Sequence, residues 1–126
     1  MSADPPEAGP APLRARIQAA LMPALRSRDD IAVSALRSTL SALANAETVE
    51  ETAGAAVALS EHVAGATPEG GAEAPRAELG EDEVRQVVAT EVSEREEAAS
   101  HYDAGGFGRR AERLRAEAAV IRTFLE

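Results

Sequence analysis

Residues 79–126 carry two amphipathic helical patterns broken by Ala104-Gly105-Gly106, an arrangement that specifies a helical hairpin. Glu81, Asp82 and Glu83 open the first pattern, where carboxylates complement the positive end of a helix dipole. It runs to about Asp103, and the glycine pair behind it supplies a C-cap and a turn. The second pattern starts at Phe107 or Gly108 and reaches Leu125. Its Ala111, Leu114, Ala118, Ile121 and Leu125 alternate three and four apart. That is a coiled-coil-like seam, suited to antiparallel packing on the preceding helix.

A second pair of helices is predicted upstream. Over residues 13–27, Leu13, Ile17, Leu21 and Leu25 recur every fourth position with Ala20 and Ala24 beside them. Pro23 sits inside this pattern, lacks the N–H that would bond the Ala19 carbonyl, and predicts a kink. Asp29 and Asp30 then supply a cap and first-turn charge for a helix over residues 30–46. Val33, Leu36, Leu40, Leu43 and Ala44 are expected on its buried face. Two or three linking residues make these helices antiparallel neighbours. The fold class expected is therefore all-α: four main helices in two hairpins, forming one domain over residues 13–126. Residues 1–12, with four Pro, are expected to be a disordered tail. Residues 47–78 read as a flexible insertion, with a short weak helix at most over residues 53–64 and a Gly/Pro loop over residues 65–77.

Charge narrows the function. The chain carries thirteen Arg, no Lys and a net charge of −9. Residues 46–83 hold ten acidic residues against Arg76 alone. Residues 13–28 hold four Arg and no acid, and residues 107–126 five Arg and three acids. A nonspecific nucleic-acid binder is usually basic as a whole, so only local basic faces remain for such a role. The chain has no Cys, which excludes disulfides and thiolate metal sites and favours a cytoplasmic setting. No secretory leader is expected at the N-terminus, and no apolar run reaches the ~18 residues of a membrane-spanning helix.

Few residues suggest chemistry. On the third helix, Val84, Val88, Glu91, Arg95 and Tyr102 fall in one stripe at about 100° per residue. Glu91 and Arg95 thus form an i, i+4 pair in the favourable order within the apolar face. One reading is an ion pair at the core rim, with Arg37 of the second helix as a third member. The other is a polar patch for a partner. A general acid–base role lacks a facing nucleophile, metal ligand or second carboxylate. His62 and His101 have no His or Cys partner at ligand spacing, so neither metal nor cofactor is expected. Gly105-Gly106-Phe107-Gly108 follows a helix and lacks the Gly-Lys-Ser/Thr ending of a phosphate loop. The fourth helix presents Arg109 and Arg113 away from the seam, with Arg115 and Arg122 flanking it. Interspersed Glu112 and Glu117 make one reading a solvated, salt-bridged face. The other reading is contact with an RNA backbone or an acidic partner.

Three segments resemble the GatB/YqeY family, relatives of the tail of the B subunit of the glutamine-dependent aminoacyl-tRNA amidotransferase. RSRDDIAVSALRSTLSALANAETV is similar to that family's second helix, with Arg37 at its Arg position. TEVSERE resembles its Glu-Val-x-x-Arg core through Glu91, Val92 and Arg95. GRRAERLRAEAAVIRTFL resembles its last helix. The resemblance covers residues 13–49 and 78–126 and implies a helical domain linked to carbon–nitrogen ligation with glutamine as amido donor. It departs in Pro23, in the long insertion, and in stopping at Glu126 without the family's second small helical domain. The implied role is a non-catalytic accessory or adaptor domain, with tRNA or a tRNA-processing protein as partner. A protein-interaction module with no RNA link is the alternative.

Overall fold

The computed structural model describes the backbone of residues 11–63 and 78–126 and the side chains of residues 11–50 and 78–126. Four helices follow in chain order: α1 (Leu13–Arg26), α2 (Asp30–Val63), α3 (Glu81–Ala104) and α4 (Gly108–Arg122). A 3-10 turn, Thr123–Leu125, extends α4. The architecture is an all-α bundle of two hairpins. Residues 1–10 of the tail predicted over residues 1–12, and the loop predicted over residues 65–77, lie outside the described residues.

The two hairpins close by the same hydrogen-bond pattern. After α1, the N–H of Arg28 donates to the Leu25 carbonyl at 3.2 Å and that of Asp29 to Ala24 at 3.0 Å. After α3, the N–H of Gly106 donates to Asp103 at 3.1 Å and that of Phe107 to Tyr102 at 2.8 Å. Each is a Schellman closure, which puts one residue in the left-handed region. That residue is Gly106 (φ 86°) in the second hairpin but Arg28 (φ 56°) in the first. The apolar contact typical of this motif is the edge-to-face pair of Tyr102 and Phe107, with ring centroids 6.2 Å apart. Asp29 then caps α2: its Oδ1 accepts the Ala32 N–H at 3.1 Å.

The core is built from small aliphatic groups. Leu13 and Ile17 of α1, Leu36 and Leu43 of α2, Val88 of α3 and Ile121 of α4 are fully buried. Ala35 and Ala118 are buried among them, Ala99 and Ala111 are buried as well, and side chains this small let helices approach closely. Thr39 is buried too, its hydroxyl donating to the Ala35 carbonyl at 2.8 Å.

The structure corrects several expectations. The second helix does not stop at Ala46 but continues to Val63. Residues 47–63 hold four Ala and no Pro, and one Gly (Gly54) at about 1 kcal/mol does not end a helix. The first strong stop signals are Gly65 and Pro68. Ala44 is exposed, and Ala32, Ala35 and Thr39 take the buried face with Leu36 and Leu43. Leu25 is exposed as well. A strict four-residue repeat overshoots each full turn by about 40°, so Leu25 lies about 120° round from Leu13. Leu125 falls in the 3-10 turn, not in α4.

Gly106→Ala has open space around its new methyl, so it should destabilise through backbone strain alone, by about 1 kcal/mol. Arg28→Gly should stabilise by about 0.5 kcal/mol, the strain relieved exceeding the added unfolded-state freedom. Urea midpoints with an unchanged slope check both. Pro23 lies in α1 on its exposed side. Pro23→Ala should raise the same midpoint by less than the ~3 kcal/mol helix-interior penalty, because Pro23 is in the last turn.

Candidate functional site

Glu91, Arg95 and Glu117 bring α3 and α4 together at one charged cluster. Arg95 donates from Nη1 to Glu91 Oε1 at 2.9 Å and from Nε to Glu117 Oε1 at 3.2 Å. It also reaches the Glu91 carbonyl at 3.2 Å. Arg113 Nε donates to the other oxygen of Glu117, Oε2, at 3.2 Å. Charges therefore alternate along Glu91, Arg95, Glu117 and Arg113, and the four sum to zero. Arg95 and Glu117 are nearly buried, with side chains 11% and 9% exposed. The Glu91–Arg95 pair stands where the sequence placed it. Its third member is Glu117, not Arg37, which is exposed and has no ion pair among the described residues.

Glu117, expected in a solvated, salt-bridged face, is salt-bridged but buried. A signal was present: position 117 lies three after Leu114 and four before Ile121, on the apolar stripe. Glutamate in such a stripe needs guanidinium partners, and both the facing helix and its own preceding turn supply one.

The remaining Arg residues of α4 are mostly occupied. Arg115 pairs with Asp103 and Arg122 with Glu96, both on α3. Arg110 lies over the Tyr102 ring, 5.2 Å from its centroid, a cation–π arrangement. Arg109 is exposed with no ion pair among the described residues. So Arg113, Arg115 and Arg122 are salt-bridged to acids of α3 and α4, while Arg109 and Arg110 have no carboxylate partner among the described residues.

Other polar groups tie the opposite end of the bundle. Glu81 accepts the N–H of Leu13 at 3.0 Å, capping α1, whose own N-cap Pro12 provides no side-chain acceptor. Arg16 donates to the Phe124 carbonyl at 2.8 Å, and Arg85 to the Leu125 carbonyl at 2.6 Å. The C-terminal carbonyls of the last turn thus receive guanidinium donors from two other helices. Arg14 pairs with Glu47, joining the start of α1 to the middle of α2.

A groove of about 440 Å³ opens between α2 and α3. Ala46, Val49, Leu79 and Val87 give it apolar surface. Glu50, Glu83, Gln86 and Thr90 border it, and Glu91 brings the charged cluster to one end. Among the described residues no three His, Asp or Glu side chains are grouped to hold a metal ion. His101 is exposed beside Glu97. The His62 side chain lies outside the described ones. No helix among the described residues is long and apolar enough to cross a membrane. No protein family, curated protein or solved structure matches this chain.

The charged cluster generates a prediction. Glu117→Ala removes two charge-assisted hydrogen bonds and leaves the nearly buried Arg95 with Glu91 alone, so it should destabilise by about 2 kcal/mol. Arg113→Ala should change stability by less than about 0.5 kcal/mol, because that side chain is half exposed and Arg95 still holds Glu117. Denaturant titration of the two variants checks the contrast.

Proposed function

We propose that this chain is a non-catalytic adaptor domain that acts by docking a partner protein. The observation that carries the reading is the groove between α2 and α3, which combines exposed apolar surface with polar borders on a helical scaffold. An accessory role of this kind is also what the resemblance to the GatB/YqeY family implies. The protein-interaction alternative is favoured over the tRNA contact that the resemblance implies. Phosphate binding depends on cations free to replace counterions. Arg113, Arg115 and Arg122 already have carboxylate partners in Glu117, Asp103 and Glu96. At these three an incoming phosphate would have to displace a carboxylate, and Arg37, Arg109 and Arg110, which have no ion pair among the described residues, stand in the field of a chain of net charge −9.

Site-specific photocrosslinking tests the reading. A photoreactive residue replaces Gln86 in the groove or, separately, Arg109 on α4, and cells making the full chain are irradiated. Protein adducts at position 86, without RNA adducts at position 109, are expected. RNA adducts at position 109, with tRNA affinity that falls steeply with salt in the purified chain, would establish the tRNA reading instead.

A further inference from the structure

The groove contains a large aliphatic side chain left bare. Val49 is 67% exposed, while Leu79 and Val87 beside it pack their inner sides on the core. Its border is acidic. Glu47 and Glu91 nearby are held by Arg14 and Arg95, but Glu50 and Glu83 have no ion pair among the described residues. Both lie within residues 46–83, the stretch that alone carries a charge of −9. An apolar floor under two carboxylates without an ion pair among the described residues repels nucleic acid, anionic membranes and acidic peptides, and attracts an apolar surface flanked by cations.

The walls also restrict the backbone of the occupant. Apart from Leu79, which precedes α3, both are α-helices with their backbone groups bonded internally beyond the first turn of α3, so neither offers a strand edge for an extended peptide. A bound segment must satisfy its own backbone groups, which a helix does. The α3 side, from Leu79 to Glu91, spans about 18 Å, room for about three helical turns. The geometry points to a basic amphipathic helix of a partner protein, about three turns long, with its apolar stripe on Val49, Leu79 and Val87 and Lys or Arg against Glu50 and Glu83. This inference rests on the adaptor reading and adds the chemistry of the partner.

The test uses the full chain and three synthetic helical peptides of equal length. One has Leu at i, i+3, i+4 and i+7 flanked by Lys and Arg. The second keeps the Leu pattern with Glu as the flanking charge. The third keeps the basic composition with the Leu positions scrambled. Binding is followed by fluorescence anisotropy at low and high salt and by NMR shifts of the protein. Only the first peptide is expected to bind saturably, shifting Val49 and Val87. Glu50→Arg with Glu83→Arg should weaken it about tenfold at low salt, two exposed attractions becoming repulsions. Val49→Asp, at a site already exposed and so without effect on folding, should weaken it about tenfold at either salt.

Equal binding of the acidic peptide, or no shift at the groove, would overturn the inference. So would a dimer of the chain that Val49→Asp dissociates, because the occupant would then be a second copy. If protein adducts form at position 86 while the basic peptide fails to bind, the adaptor reading stands and only the partner chemistry falls. If both fail, the adaptor reading falls as well.

Discussion

A carboxylate inside a helix–helix contact sets the register of this bundle. Glu117 is buried between α3 and α4, and a buried charge is tolerated only when paired and hydrogen-bonded. Each of its oxygens meets a different guanidinium, from Arg95 across the interface and from Arg113 one turn earlier in α4. Sliding α4 along α3 would break the Arg95 contact and shift Ala111 and Ala118 from their buried positions. The same register places the last turn of α4 where Arg16 and Arg85 reach the Phe124 and Leu125 carbonyls. One ion cluster and two capping contacts therefore hold α1, α3 and α4 in a single relation.

The groove follows from a mismatch of lengths. α1 has 14 residues and α2 has 34, about 21 Å against 51 Å of helix. The Arg14–Glu47 pair marks where α1 begins along α2. Past that point α2 has no α1 neighbour, and its residues 46–50 form one wall of an open channel, with α3 as the other. Its acidity has the same origin. The first turn of α3 is rich in carboxylates that favour its N-terminus, and only Glu81 is drawn inward to cap α1. Glu83 stays outside, at the groove border. A device that stabilises a helix end thus also sets the field around a candidate docking surface.

Much of the candidate site was legible one helix at a time. The Glu91–Arg95 pair is an i, i+4 relation, and a single helix determines it. The Arg residues of α4 were found as a set, with a salt-bridged face as one of their readings. Their partners Asp103 and Glu96 could not be named, because they lie on another helix and depend on the hairpin register. The burial of Glu117 follows from its position on the stripe, which outweighs its charge once Arg95 and Arg113 reach it. Arg37 was misassigned because the face α2 turns toward α3 and α4 is decided by three neighbouring helices, not by its own leucines. The groove was not legible at all, since it is a space between elements and depends on how far α2 runs beyond α1.

The sequence alone determined the all-α class, the two hairpins, their turns and most of the helix starts. These rest on local physics: apolar periodicity, acidic first turns, an Asp cap, and glycine where the chain enters the left-handed region. Even there, Arg28 occupies that region in the first hairpin without a glycine to announce it. Tertiary structure decided which charges are neutralised, which face of α2 is buried, and where apolar surface is left uncovered. Those outcomes depend on contacts between residues distant in sequence, and their energies exist only once the helices have chosen a common register.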